Sequence, residues 1–219
     1  SEASLKAHVH CVIVGFSSAP NPAPRVIYSS DRAQIAENIN AYLMDAPIVF
    51  IEARTKPLCN VPILQNGGKP TEGGFLILSE EEKNELLSAE PQAEVFIRPY
   101  MMGKDFIARK PRYCLWMVGA NPSLINQCPL VRKRIEQVRE YRLASPKAAT
   151  QKKAETPMLF DEVRECTIDY VAIPKVSSEN RRYIPMEYLS SKIIPGDKLF
   201  MLQDASLYSF GVLTSNVHM

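Results

Sequence analysis

Lys69 and Thr71 stand in the stretch QNGGKPTEGG, residues 65–74, which holds four of the chain's nine glycines. Glycines beside a lysine and a threonine are the ingredients of a phosphate cradle. Such a cradle has a strict spacing, G-x-x-x-x-G-K-[ST] between a strand and a helix, so that backbone amides wrap the phosphates. Here Lys69 follows Gly68, but Pro70 stands where a hydroxyl must hold magnesium, and a proline also removes an amide donor. No helical pattern follows; Phe75–Leu78 reads as a short strand. The stretch therefore reads as a tight surface loop rather than a nucleotide cradle.

Other reactive groups lead less far. His8 and His10 share a strand face, but no third and fourth ligand follow at zinc spacing, so no metal is expected. The third histidine is His218. Glu80, Glu81 and Glu82 suit a helix N-terminus better than paired acid–base work. No Ser/His/Asp or Cys/His set can be placed, so no catalytic residue is assigned.

The cations are more informative. Their excess is small, 26 basic against 24 acidic residues, but they are unevenly spread. Residues 80–94 carry six glutamates and one lysine; residues 132–153 carry eight Lys/Arg and two glutamates. Arg132, Glu136 and Arg139 neutralise one another at helical spacing. Lys147, Lys152 and Lys153 do not, since only Glu155 is near them. Arg181 and Arg182 likewise close a polar run, Ser177–Asn180. Segments mixing Lys/Arg with Asn, Gln, Ser and Thr suit phosphate contact plus base-edge readout. Lys147, Lys152, Lys153, Arg181 and Arg182 are the candidate phosphate contacts. Gln151, Glu179 and Asn180 are the candidate base readers. The competing reading is a protein-interaction or scaffold module that docks a catalytic partner through apolar surface.

The five cysteines are scattered and form no CxxC pair, which suggests free thiols in a reducing, cytoplasmic setting. No apolar stretch approaches transmembrane length, so no membrane partner is expected. The elements that must position these groups follow from patterning. Residues 8–16 read as a strand buried on both faces. A helix is expected from Asp31, capped with Gln34 and bearing Ile35, Ile39, Tyr42 and Leu43 on one face. Ile48–Ile51, 94–98, 113–118, 169–174, 183–186 and Leu199–Leu202 read as strands. Ser79 and Glu82 make a capping box for a short helix, and a longer helix spans 129–143. Residues 145–156 lack apolar periodicity and read as a loop; a last helix starts near Asp204. The fold class is α+β, a mixed sheet with several helices and long loops.

Eight stretches, taken in order, resemble one family. They are EASLKAHVHCVIVGFS, ENINAYLMDAP, PLCNVPILQNGGKPTEGGFLILS, EPQAEVFIRPY, YCLWMVGANP, VREYRLASPKAATQKKAETP, IPKVSSENRRYIP and DASLYSFGVLTSNVHM. Together they resemble the C-terminal part of MmeI-like type IIG restriction–modification enzymes, single-chain DNA adenine-N6 methyltransferases fused to a nuclease. The resemblance implies that residues 1–28 end a methyltransferase catalytic domain. Residues 29–198 would form the target recognition domain with its leading helix, and 199–219 would open a truncated C-terminal segment. The family's methyl-donor motif and Asn-Pro-Pro-aromatic catalytic motif do not occur in these 219 residues. The implied role is sequence-specific recognition of double-stranded DNA, without catalysis by this chain alone. QNGGKPTEGG resembles a family loop at the front of the recognition domain, which makes Asn66, Gly67, Gly68 and Lys69 candidates for contact with DNA or with the neighbouring domain. S-adenosylmethionine and Mg2+ would serve the parent enzyme, the upstream methyltransferase domain would be a partner, and the setting would be bacterial defence in the cytoplasm.

Overall fold

The computed structural model describes residues 11–29, 32–50, 52–178 and 180–216. The chain forms two compact units, one ending at Leu58 and the other Cys59–Met219.

The first unit holds an antiparallel hairpin, β1 (Arg25–Ser29) against β2 (Arg32–Ala36), in register from Arg25↔Ala36 to Ser29↔Arg32. This replaces the helix expected from Asp31; Asp31 itself lies outside the described residues. The reason is local. Val26, Ile27 and Tyr28 form a β-branched and aromatic run that pairs along its whole length with the segment assigned to the helix. Ile35, Tyr42 and Leu43 are exposed, so their helical spacing marks no buried face. Two further expected strands do not appear among the described residues. Residues 11–16 and 48–50 are unpaired and exposed; His8, His10 and Ile51 lie outside the described residues.

The second unit is α+β, as expected. One sheet has the order β3 (Leu64–Asn66), β10 (Leu199–Gln203), β7 (Tyr170–Pro174), β8 (Glu187–Leu189) and is wholly antiparallel. The other has the order β4 (Ile77–Leu78), β6 (Arg112–Leu115), β5 (Ile97–Met101), β9 (Ile194–Pro195) and is mixed, because β5 and β9 run parallel. β7 is buried at every residue, which suits a run that reads YVAIP. One apolar cluster packs Tyr170, Ala172, Leu199 and Met201 together; a second packs Val171, Ile173 and Leu202 with Phe200 and Phe210. The alternation along β7 and β10 thus splits their side chains between two faces.

Local signals set the helices. The Ser79 Oγ accepts from the Glu82 amide at 3.1 Å, and a Glu82 carboxylate oxygen accepts from the Ser79 amide at 2.9 Å, capping α1 (Glu80–Ala89). α2 is Gly103–Ala108 and α3 is Pro122–Asn126. α4 spans Pro129–Leu143, with proline in its first turn. Its N-terminus has no side-chain cap of its own. Glu90 supplies one from a distant loop, accepting from Leu130 N–H at 2.6 Å and Val131 N–H at 3.4 Å.

Several boundaries differ from expectation; β4 starts at Ile77 rather than Phe75, and β6 ends at Leu115 rather than 118. Residues 91–96 form a 3-10 turn opened by Pro91, so β5 starts at Ile97 rather than 94. The strand expected at 183–186 begins at Glu187 instead. Residues 145–156 are not a loop; they contain α5 (Ala148–Lys152) and a 3-10 turn, Lys153–Glu155. α5 buries none of its residues, so no apolar period could reveal it. α6 (Leu207–Leu213) is capped by Ser206. Among the described residues, no helix is long and apolar enough to cross a membrane.

Candidate functional site

The buried face of α4 is marked by Val131, Ile135 and Val138, and helical spacing carries that stripe to Arg142. Arg142 is fully buried. A buried guanidinium must spend its N–H groups on acceptors, because unpaired buried donors each cost about 1–3 kcal/mol. Arg142 does so completely. Nε donates to Thr71 O at 2.9 Å. Nη1 donates to Lys153 O at 2.8 Å and Thr156 O at 3.1 Å. Nη2 donates to Pro70 O at 3.1 Å and Leu159 O at 2.7 Å. Burial lowers its pKa, while Asp161 and Glu72 act to keep it charged. The five carbonyls come from two stretches, 70–71 and 153–159, which Arg142 clamps side by side.

This clamp fixes the glycine loop against the turn that follows α5. Glu72, itself buried, accepts from Gly74 N–H at 2.9 Å and from Leu76 N–H, which closes the second glycine pair. The first pair is held differently. Gly67 N–H donates to Leu199 O at 2.9 Å and Gly68 N–H to Pro195 O at 2.8 Å; Lys69 N–H donates to Glu162 O at 3.0 Å. These amides have protein acceptors and cannot cradle a phosphate, in line with the spacing test. A Cβ on Gly67 would overlap the Gly196 carbonyl, so the backbones cross here with no room for a side chain.

The structure brings Lys69 and Lys153 together on one carboxylate. Each ammonium lies 3.7 Å from an Asp161 carboxylate oxygen, and Lys153 Nζ also donates to the Asp161 carbonyl at 2.8 Å. Thr71 donates to the same carboxylate at 3.1 Å. Both lysine side chains remain nearly half exposed. Ion pairs of that exposure contribute only about 0–1 kcal/mol, so an incoming anion can draw the lysines away. Lys147 opens α5, its carbonyl accepting from Gln151 N–H at 3.0 Å. Lys147 and Lys152 are exposed and form no ion pair among the described residues. The Gln151 side chain donates to Ser145 O at 2.8 Å.

Arg181 and Arg182 lie on the β7–β8 connection. Ser178 shapes it, accepting from Asn180 N–H at 3.2 Å on its hydroxyl and from Arg181 N–H at 3.0 Å on its carbonyl. Arg181, Arg182 and Asn180 are exposed, and the Arg182 guanidinium lies 5.4 Å from the Tyr183 ring centre. Glu179 lies outside the described residues. Asn66 ends β3, opposite Phe200. No group of three or more His, Cys, Asp or Glu residues is arranged to hold a metal among the described residues.

Arg142 is the residue that composition alone misses, because it counts as one more cation in a basic stretch. Its signal is positional: an arginine in step with Val131, Ile135 and Val138 falls on the buried stripe.

Comparison with known proteins gives three findings. The family described as "MmeI, target recognition domain" matches residues 45–219. The chain is 32% identical over 219 residues to "DNA methyltransferase A" of Bacillus subtilis (strain 168), covering 100% of this chain and 25% of that protein. Its fold superposes on the type IIL restriction–modification enzyme MmeI, solved in complex with DNA. The TM-score is 0.86 at 35% identity, covering 91% of this chain and 27% of that one. The chain thus spans about a quarter of the length of the relatives it matches.

Proposed function

This chain belongs to the family of MmeI target recognition domains, and from that premise we propose that it reads a specific sequence on double-stranded DNA for a restriction–modification enzyme. The observation that carries this reading is the use of charge around α5. Arg142 holds the backbone at Lys153, directly after α5, and Lys147 and Lys152 stand exposed without an acidic partner among the described residues. Exposed lysines on a held backbone suit phosphates, whose contacts set register and orientation on the duplex. Lys153 and Lys69 join them once phosphates compete for their shared hold on Asp161. Arg181 and Arg182 form a second contact point. Asn180 is the proposed base reader of that loop, since an amide matches the adenine edge; Gln151 and Glu179 are the lesser candidates.

In this reading the chain recognises and does not catalyse. Methyl transfer to adenine N6, with S-adenosylmethionine as donor, and Mg2+-dependent cleavage belong to other parts of such an enzyme, acting in the bacterial cytoplasm. Adenine must leave the base stack to be methylated, which costs a few kcal/mol and calls for a firm grip on the flanking duplex. A second reading has its own support. Ile35, Ile48 and Phe50 are exposed in the first unit, and an apolar surface there suits docking on a methyltransferase domain.

The test is a titration of the complete polypeptide with target and non-target duplexes at two salt concentrations. Recognition predicts tighter binding to one sequence and a steep salt dependence for both. Equal, salt-insensitive binding to every duplex would defeat it. Asn180→Ala is expected to cost about 1–3 kcal/mol on the target only and to relax one position. This chain alone, incubated with DNA and labelled methyl donor, is expected to transfer nothing.

A further inference from the structure

The β3–β10–β7–β8 sheet gathers three connections at one end. Asn66, the last residue of β3, pairs with Phe200 near the start of β10; Pro174, the last residue of β7, pairs with Leu199; and β8 begins at Glu187 opposite Ala172. Residues 67–69, 196–198 and 175–186 therefore leave from the same edge. Lys175 N–H donates to Lys198 O at 3.1 Å, so these two lysines sit on adjacent strand ends, about 4.8 Å apart in the hydrogen-bonding direction. Both are exposed. Lys198 Nζ lies 3.1 Å from Asp197, and Lys175 Nζ lies 4.8 Å from the Phe200 ring centre. To one side stands Lys69, joined through Asp161 to Lys153 and α5; to the other stand Arg181 and Arg182.

We propose that Lys175 and Lys198 are DNA phosphate contacts that bridge the α5 region and the Arg181–Arg182 loop into one backbone-tracking surface. The proposal rests on the DNA reading above and adds its middle section. Four strand ends at ~4.8 Å spacing span about 14 Å. One strand of B-DNA carries a phosphate roughly every 3.4 Å of axis and winds round that axis as it rises, so part of a run of about four phosphates can face that length. The two lysines also supply most of the net charge there. Residues 67–69, 175–186 and 196–198 contain five cations, Lys69, Lys175, Arg181, Arg182 and Lys198, against two carboxylates, Glu179 and Asp197. With both lysines the balance is +3; without them it is +1, a weaker attraction for a phosphate strand.

The experiment compares the complete polypeptide with its Lys175→Gln, Lys198→Gln and double variants, on target and non-target duplexes. The double variant is expected to lose affinity for both duplexes alike. Its plot of log affinity against log salt is expected to lose about two units of slope. Between about 50 and 200 mM salt, that makes its fall in affinity roughly tenfold smaller than the wild type's. The double variant Lys175→Arg with Lys198→Arg keeps the charge and is expected to retain the wild-type slope. If the glutamine double variant melts early, the single variants decide, each with about one unit at stake. A folded glutamine variant with wild-type affinity and slope overturns this proposal and leaves the DNA reading standing. A wild-type protein that binds neither duplex overturns both.

Discussion

Arg142 and the Arg181–Arg182 pair carry the same charge and use it in opposite ways. Arg142 is buried and spends every N–H on the chain's own carbonyls. Arg181 and Arg182 are exposed and form no ion pair among the described residues. The difference lies in what surrounds them. At Arg142, two stretches without regular pairing turn their carbonyls inward, and only a planar group with five donors can serve them. On the β7–β8 connection the backbone is held by Ser178, so the guanidinium groups are left over for a partner. A cation built into the architecture is thus told from one kept for binding by counting its acceptors.

Five measurements can break or sharpen that contrast. The largest effect is expected at Arg142. Arg142→Met takes a donor from five carbonyls, of which Pro70, Lys153 and Thr156 keep a backbone N–H and Thr71 and Leu159 do not among the described residues. At about 1–3 kcal/mol for each of the last two it is expected to cost ~2–6 kcal/mol, a large share of a typical domain's stability of about 5–15 kcal/mol. Arg142→Lys, with three donors, is expected to recover only part of it. Urea unfolding reads both; a loss under ~1 kcal/mol for the methionine variant would mean the clamp is ornamental. Gly67→Ala comes next, at the upper end of ~1–3 kcal/mol, because the added methyl meets backbone that cannot swing aside.

The same division between used and free groups runs through the thiols. Burial pushes Cys114 up to about 12 and Cys166 to about 11, from an ordinary value of 9.0. Burial, then Glu90, also raises Cys128. A pKa raised by folding gives stability that is whole below pH 9 and declines as the unfolded chain ionises first. Between pH 8 and 10 the loss is expected to be about 1 kcal/mol for each of Cys114 and Cys166. In native protein a thiol reagent is expected to reach Cys11 and Cys59 only; in denaturant, without reduction, it should find all five. A native count of five would show that the buried cluster opens freely. The smallest stability effect belongs to Lys147→Ala and Lys152→Ala, within about 0.5 kcal/mol of wild type. Each is expected to weaken every duplex about equally and to remove about one unit of salt slope. Unchanged binding in both would return α5 to plain solvated surface.

What could be read from the sequence depended on whether a side chain's fate was decided nearby. The Ser79–Glu82 box and the Pro129 start of α4 are local devices, and both stand where expected. Phe200 and Met201 read as one strand and proved to serve two apolar clusters, as alternation requires. The helix expected from Asp31 failed because Ile35 and Tyr42 are exposed, so their spacing recorded no burial at all. α5 escaped notice for the complementary reason. It is held by Arg142 and by the Gln151–Ser145 hydrogen bond rather than by an apolar face. Lys147, Lys152 and Arg181 were visible as cations. That Arg142 reaches Pro70, 72 positions away, could only come from the folded chain. Lys175 and Lys198 went unnoticed because each stands alone in sequence and meets the other only across a strand pair.

The crossing of Gly67 over Gly196 has a practical side for anyone recombining such chains. Two backbones that touch with no side chain between them behave as a single part with two distant addresses. A cassette taken from a relative across residues 65–69 therefore has to travel with its own 194–199. The α5 segment, Ala148–Lys152, can be exchanged by itself as long as Arg142, Lys153 and Asp161 stay, since these tie the turn after it to the loop.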